Sequence, residues 1–575
     1  MSQPWSLAAL AQELAARARQ AYQRHMLVLT GQPRDCRQAA RQLVAGTEGV
    51  LWIGEGAPQG VHAIAAARAR GELGREWRWL VFDAFAGFDP EAFGAATGTL
   101  RGGALLVLLA PSLEQWQDYP DPEHARLAVA PFGADGVTGR FLARIARLIE
   151  NGPATVLQVE QTPPLLPHRS PASAVVPASP DPHCATGDQA RAVAALLQLV
   201  RGHRRRPLVL ISDRGRGKSA ALGIAAARLL KKHPYNIILT APRLEAAATA
   251  LDHARTRLPE SRGGRGEVLG ETGGQLSFVA PDELLRQPRG ADLLLVDEAA
   301  AIPAPLLEQL LARYARICFA TTIHGYEGTG MGFAVRFRRV LDRETPGWRQ
   351  VELTQPVRWA PDDPLERLVD RLLLLDAQPA LAEALTEAAP ANCRVQCLDR
   401  EVLARDEGRL GELFGLLVLA HYRTSPLDLR QLLDGPDLTV YALLHDNRIA
   451  GCALVSEEGG FDQALSRAIW SGRRRPRGHL LAQSLAVHGG LEEAPGLKGV
   501  RIVRIAVHPA VQGRGLGGKL VAAVVEQAEM TGLDWVGGSF GATAPLLTFW
   551  SRRGFQALRL GIRREASSGA HSAMV

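Results

Sequence analysis

The sequence predicts a multidomain α/β protein in which parallel-sheet lobes precede a mixed α/β domain. Three observations predict it. Short apolar runs alternate with helical patterns over most of the chain; two of those runs lead through a glycine-rich loop into a helix; and a proline-rich stretch separates the first lobe from the next. At roughly 100–200 residues per domain, 575 residues suggest three or four domains. An apolar fraction of 46% against 22% charged residues supplies several cores and excludes global disorder or a fibrous fold.

The N-terminus, MSQPWSLAALAQELAARARQ, is helical in pattern but lacks the basic lead and apolar core of a signal peptide. No uncharged apolar run approaches the ~18–20 residues of a bilayer span. A soluble cytoplasmic protein, with no membrane association and no marked obligate protein partner, is expected. Residues 1–151 read as an α/β domain without a phosphate loop, its strands at Val50–Ile53, Trp79–Phe82 and Ala104–Leu109. Residues 152–182 carry prolines 153, 163, 164, 167, 171, 177, 180 and 182 and read as an extended linker.

Residues 183–360 resume the alternation, with strands at Leu208–Ile211, Asn236–Thr240, Leu293–Val296 and Ile317–Thr321; Gly263-Gly264 and Gly273-Gly274 punctuate an expected surface loop. Residues 361–399 are Leu-rich and read as a helical connector. Residues 400–575 form the last domain, with strands near Leu438–Leu444, Arg448–Val455, Val500–Val507 and Leu533–Gly537.

The six cysteines are too scattered for a disulfide framework, and Cys393 and Cys397 lack the second pair or nearby His of a zinc site. A net charge of +7 mildly favours a polyanionic partner. Five of the 66 basic residues are lysine. His203-Arg204-Arg205-Arg206 and Arg473-Arg474-Arg475-Pro476-Arg477 could grip phosphates or be solvated loops.

The strand Leu208–Ile211 leads into Ser212-Asp213-Arg214-Gly215-Arg216-Gly217-Lys218-Ser219 and then a helix beginning near Ala220. Backbone N–H groups of such a loop wrap phosphate oxygens, and the helix N-terminus adds partial positive charge. Lys218 would reach the β- and γ-phosphates, and Ser219 would ligate Mg2+. The first glycine of this motif is replaced by Ser212, and the GKS tripeptide alone is weak. The apolar strand ending in Asp297-Glu298 strengthens it: Asp297 would hold the Mg2+ shell, and Glu298 would orient or deprotonate the attacking water. Alone, that pair could also be a buried strand meeting a capped helix.

Asp297-Glu298-Ala299-Ala300 resembles the acidic box of helicase ATPases, which implies a RecA-like, helicase-type lobe binding ATP. Thr240–Arg243, Thr321-Thr322 and Gln355–Arg358 fall where those ATPases carry accessory motifs. Gln189 falls where they place an adenine-reading glutamine. Arg358 could be an arginine finger or sit in a surface salt bridge.

Further on, Arg501–Val507 is a strand that must stop at His508-Pro509. It is followed by Gln512-Gly513-Arg514-Gly515-Leu516-Gly517-Gly518 and a helix over Lys519–Met530, again the order that cradles a pyrophosphate. The Q-x-x-G-x-G spacing resembles the pyrophosphate loop of GNAT acetyltransferases. That likeness implies acetyl-CoA lying along Ile505, Ala506 and Val507 and the loop. Phe549–Phe555, with Arg552 at the acetyl-CoA site, resembles the closing element of that fold.

Together these modules resemble bacterial tRNA(Met) cytidine acetyltransferases over nearly the whole chain. Val81–Phe88 and Gly98-Thr99-Leu100-Arg101-Gly102-Gly103 resemble that family's N-terminal domain. Arg214–Ser219 and Ile323–Gly330 resemble its ATPase; Arg504–Pro509 and Arg564–Gly569 resemble its acetyltransferase. The resemblance implies ATP-assisted transfer of acetyl from acetyl-CoA to N4 of the wobble cytidine of elongator tRNA(Met), bound through its anticodon region. Family members often continue as an RNA-binding tail where this chain stops at Val575, so tail-borne contacts are expected to be missing or replaced. Pro545 stands where some relatives place an acidic residue near acetyl-CoA.

Cytosine N4 is a poor nucleophile because its lone pair is delocalised, so positioning and oxyanion stabilisation must dominate. His508, just past the acetyl-holding strand, could be the general base or have a structural or RNA-contacting role. Two other functions fit the same motifs. One is a protein or small-amine acetyltransferase with a regulatory ATPase. The other is a non-catalytic RNA-remodelling ATPase that senses acetyl-CoA.

Overall fold

The computed structural model describes residues 6–160, 179–323, 330–421, 424–564 and 569–575. The expectations on Ile323–Gly330 and Arg564–Gly569 lie largely outside the described residues, as does most of the proline-rich stretch. The chain divides into two compact units, one of Met1–Asp83, Ala92–Leu109 and Pro153–Val369, the other of Ala84–Glu91, Ala110–Gly152 and Asp370–Val575. The first unit therefore holds two sheets that the sequence assigned to separate domains. Two segments drawn with the first domain belong to the second unit.

The first sheet contains β1 (His25–Thr30), β2 (Val50–Ile53), β3 (His62–Ile64), β4 (Trp77–Asp83), β5 (Leu100–Ala110) and β6 (Thr155–Gln158), ordered β3-β2-β4-β5-β1-β6. Pairings β2–β3, β2–β4, β4–β5 and β1–β6 are parallel. Strand β6 occupies part of the stretch read as linker; its short TVLQ run finds its ladder partner far back in the sequence, at Leu27–Thr30.

The second sheet contains β7 (Leu208–Ser212), β8 (Asn236–Thr240), β9 (Glu267–Leu269), β10 (Gln275–Phe278), β11 (Leu293–Val296), β12 (Ile317–Thr322) and β13 (Arg349–Leu353). Its order is β13-β7-β12-β11-β8-β10-β9, parallel throughout except for β9 against β10. The expected surface loop is thus a hairpin completing the sheet edge. Apolar runs are buried on both faces, as a helix-covered parallel sheet requires. The carboxyl ends of β7, β11 and β12 converge at one edge, where open α/β sheets bind ligands.

The third sheet contains β14 (Arg394–Cys397), β15 (Leu438–His445), β16 (Arg448–Gly459), β17 (Lys498–Val507), β18 (Trp535–Gly541), β19 (Arg559–Arg564) and β20 (His571–Met574). Its order is β14-β15-β16-β17-β18-β20-β19, and only β17–β18 is parallel. This sheet opens at Arg394, inside the expected helical connector, whose helical part is Pro364–Leu373 and a short turn at Ala382–Leu385.

One feature of the third sheet matters for chemistry. Strands β17 and β18 pair from Gly499↔Trp535 to Ile502↔Gly538 and then part, while β17 stays paired to β16 as far as Val507. The register against β16 slips between Leu454↔Arg504 and Val455↔Ile502, leaving Val503 as a bulge where the two strands separate.

Candidate active sites

In the first unit, the loop between β7 and the helix Lys218–Leu230 takes left-handed conformations at Gly215 (φ +77°) and Gly217 (φ +79°). A Cβ on Gly215 would lie 2.9 Å from Trp359, and one on Gly217 2.5 Å from Gln189 Nε2. Ser212 is the last residue of β7, in register with Thr322 and Leu353, so the motif's first position is extended here and has no need of glycine.

Lys218 is buried and bonds Glu298 Oε1 at 2.7 Å, with Asp297 Oδ1 3.7 Å away. Burial pushes the Asp297 carboxyl above the usual range, against the pull of Lys218. Glu298 is half-buried, and Lys218 and Arg214 bring its carboxyl below its ordinary value against the opposing effect of burial. Asp297 Oδ2 is buried without a hydrogen-bond partner, and the Ser219 hydroxyl lies against the same carboxylate. Two hard oxygen donors, one orphaned, fit Mg2+, which takes few protein ligands and completes its shell with phosphate and water.

Three further predicted residues are held by partners within the protein. Gln189 donates to the Gly217 carbonyl (3.0 Å) and accepts from Ala185 N–H (2.7 Å), so its amide braces the loop at both ends. Arg216 turns from the loop to Glu366 (2.6 Å) and the Thr354 carbonyl, leaving only its backbone for phosphate. Arg358 reaches Glu76 (3.4 Å) and the Gly98 carbonyl (3.3 Å), and it lines the same cavity as Lys218. Ala220 is buried in the first turn of the helix.

The sequence reading missed the residues that hold the loop from outside. Asp188 accepts the N–H groups of Thr354 and Gln355, which holds its carboxyl low despite burial. Trp359, against Gly215, donates to Glu366 and is covered by the Arg24 guanidinium 3.4 Å from its ring centre. Arg24 itself donates from Nε and Nη2 to Oδ1 of buried Asp363, and from its backbone N–H to Oδ2. None belongs to a phosphate-loop motif; Asp188, beside Gln189, and Trp359, beside Arg358, lie next to predicted positions.

In the second unit, Gly513 (φ +79°) and Gly515 (φ +87°) shape the loop from β17 into the helix Leu516–Met530. Gln512 donates to the Val507 carbonyl (3.0 Å), tying the loop to the strand end. Gly517 lies beside Phe549, and Gly518 admits the Arg553 guanidinium, which a Cβ would meet at 2.1 Å. The Arg553 guanidinium therefore reaches the loop, and its neighbour Arg552 is exposed beside it. The Arg514 side chain donates to the Thr386 and Ala388 carbonyls, so its backbone alone faces a pyrophosphate. Ile505, Ala506 and Val507 lie on the part of β17 that β18 has left. Pro545 is at the start of the helix Ala544–Ser551, where proline is tolerated.

His508 stands at the end of β17. The ring is buried, its Nδ1 accepts from Ala510 N–H (3.3 Å), and a second hydrogen bond joins it to the Ala380 backbone. Burial lowers its basicity. With Nδ1 engaged by the Ala510 N–H, His508 caps the short turn that follows β17.

Beside the bulge lies a cavity of about 260 Å³ whose wall includes Asp428, Asp437, Ser456, Arg501, Val503 and Arg504. Arg504 bonds Asp428 and Thr424, each at 2.7 Å, and Asp437 accepts from Ser456 (2.6 Å). Among the described residues no helix is long and apolar enough to cross a membrane, and no His/Cys/Asp/Glu cluster could hold a metal ion by itself.

The chain matches three family descriptions in order. They are tRNA(Met) cytidine acetyltransferase TmcA, N-terminal, over residues 1–160; RNA cytidine acetyltransferase NAT10/TcmA, helicase domain, over 209–376; and GNAT acetyltransferase 2, over 412–527 and 519–575. The tRNA(Met) cytidine acetyltransferase TmcA of Nitrosococcus halophilus is 52% identical over 571 residues, covering 98% of this chain and 76% of that protein. Its namesakes from Citrobacter koseri and Salmonella typhimurium are 39% and 38% identical, each covering 96% of this chain and 76% of their own length. With identity of this order along nearly all its length, the chain belongs to the tRNA(Met) cytidine acetyltransferase family.

Proposed function

We propose that the chain is a cytoplasmic enzyme that transfers acetyl from acetyl-CoA to the exocyclic N4 of the wobble cytidine of elongator tRNA(Met), and that ATP hydrolysis in the first unit assists it. The observation that carries the reading is the parting of β17 and β18 at the Val503 bulge, directly ahead of the Gln512–Gly518 loop. The exposed ladder edge of β17 offers the pantetheine arm backbone partners. The loop N–H groups and helix N-terminus receive the pyrophosphate, with Arg553 beside them.

Unpaired N–H groups at the parted edge suit a thioester carbonyl on its way to an oxyanion. The neighbouring cavity is below the roughly 300–1,000 Å³ of drug-sized sites and suits a single pyrimidine. Carboxylates such as Asp428 and Asp437 are acceptors of the kind that reads a cytosine amine. The wobble base, already in a loop, can be splayed into it at modest cost. Because N4 is weakly nucleophilic, rate comes from holding it against the thioester carbon.

In the first unit, Lys218 would exchange Glu298 for phosphate oxygens, freeing Glu298 to orient water. Asp297 and Ser219 would hold Mg2+, which supplies charge neutralisation on the phosphates when bound.

The test is acetyl transfer from labelled acetyl-CoA to purified tRNAs, with and without ATP, read as acetylated nucleosides by mass spectrometry. Label in cytidine of tRNA(Met) is the expected result. Label confined to protein or small amines, or none with acetyl-CoA bound, would overturn the reading.

A further inference from the structure

The nucleotide cavity of the first unit measures about 1260 Å³, above the roughly 300–1,000 Å³ of common ligand sites. Its far wall is not built from the phosphate-loop sheet. Residues 98 and 101–103, at the start of β5, share it with residues 212–220 and Arg358. Two backbone bonds fix the distance between them: Gly102 N–H donates to the Arg358 carbonyl (2.6 Å), and Val357 N–H donates to the Gly215 carbonyl (2.9 Å). Gly98 is packed on Arg214, its Cβ position 3.7 Å from Cδ.

The turn is built to present one side chain. A Cβ on Gly102 would strike the Tyr22 ring at 2.7 Å and one on Gly103 would strike Arg19 at 2.9 Å, so both must stay bare. Arg101 alone among the three carries a long side chain.

Most cations of the cavity are already committed. Lys218 is held by Glu298 and Asp297, Arg216 by Glu366 and Arg358 by Glu76, while Arg70 and Arg214 have partners of their own. Arg19, Arg78, Arg101 and Arg243 make no side-chain hydrogen bond or ion pair among the described residues. Of these four, only Arg101 is half-buried; the others are exposed. A partly desolvated guanidinium left unpaired over a phosphate loop is an anion receptor awaiting its ligand.

We propose that Arg101, carried by the N-terminal sheet, contacts the terminal phosphate of the nucleotide held on the Ser212–Ser219 loop and stabilises its transfer to water. In that step the water oxygen bonds to phosphorus and the bridging P–O bond breaks with its electron pair leaving on ADP. The water proton departs with the released phosphate. The inference rests on the ATP reading above and gives the N-terminal sheet a direct means of sensing the nucleotide.

Arg101→Ala and Arg101→Lys in the full chain, assayed for ATP hydrolysis, ADP affinity and trapping of ADP with aluminium fluoride, test it. Removing a transition-state arginine should cut kcat by about 10²-fold or more and abolish trapping, with ADP affinity within about threefold. Lysine should not rescue, because it lacks the planar fork. Unchanged kcat, or ADP affinity lost as severely as kcat, would overturn the assignment. A wild-type chain whose hydrolysis needs Lys218 but not Arg101 removes this proposal alone. One that binds no ADP, or hydrolyses ATP equally well as Lys218→Ala, removes the ATP reading with it.

Discussion

Gly217→Ala should disable the nucleotide site without touching the acetyl-CoA site. Gly217 lies at φ +79°, and an added Cβ would fall 2.5 Å from Gln189 Nε2 and 2.8 Å from Val357 Cγ2. The left-handed conformation costs alanine roughly 1–2 kcal/mol. Moving Gln189 aside forfeits its bond to the Gly217 carbonyl, about 1 kcal/mol. Crowding Val357, whose N–H is fixed to Gly215, adds roughly 1–3 kcal/mol. The empty loop can escape these costs by relaxing, and a nucleotide must then reimpose the strained shape. At about 1.4 kcal/mol per decade, the resulting ~3–6 kcal/mol weakens ADP by about two to four orders of magnitude. Calorimetry with ADP measures it, and acetyl-CoA titrated into the same sample is the internal control. Gly273→Ala, at φ +83° with nothing within 4 Å, supplies strain without collision away from the loop and should leave ADP affinity unchanged. ADP binding within about threefold of wild type in Gly217→Ala would refute the steric reasoning.

Gly515→Asp should abolish acetyl-CoA binding while ATP hydrolysis persists, because a carboxylate at φ +87° would face the pyrophosphate; calorimetry with both ligands checks it. Burial pushes the Asp434 carboxyl up to about 7, against the pull of Arg430. The folded chain thus keeps a proton that the unfolded chain releases near 3.8, and this stabilising share fades as pH rises through 7. Denaturation of wild type against Asp434→Asn should therefore shift in the variant's favour between about pH 4 and about pH 7, and a difference independent of pH would contradict it. Replacing exposed Arg473, Arg474 and Arg475 by Ala should flatten the slope of log tRNA affinity against log salt by up to roughly two to three units. KM for tRNA should rise with kcat preserved, and a collapsed kcat at an unaltered slope would place the cluster at the reaction centre instead.

The strands that the sequence located best are those whose burial is local. Asn236–Thr240 and Leu293–Val296 are short apolar runs that can only be interior strands, and they occur with those bounds. Strands β9, β10 and β13 escaped because their residues are polar or sit between glycines, and pairing at the sheet's two ends, with β10 between β8 and β9, makes them strands. Backbone loops were equally legible, since positive φ at Gly215, Gly217, Gly513 and Gly515 requires glycine at each. Side-chain roles were not. Gln189, Arg216 and Arg514 each satisfy distant backbone groups that no local spacing announces, and Trp359 and Asp363 meet Arg24 across more than three hundred residues of chain. The string around Arg101 was recognisable only as a likeness, because its meaning depends on which loop folds over it.

The scarcity of lysine bears on the protein's own chemistry. Of the five lysines, Lys218 is buried against Glu298 and Lys519 donates to the Pro390 and Cys393 carbonyls, leaving Lys231, Lys232 and Lys498 as exposed amines. A thioester donor acylates free amines indiscriminately, whereas a guanidinium, protonated throughout the physiological range, is no nucleophile. An arginine surface can therefore hold polyanions at full charge while working beside a reactive acyl donor. The same surface written in lysine would be slowly neutralised by the donor itself, losing RNA affinity with every accidental acylation.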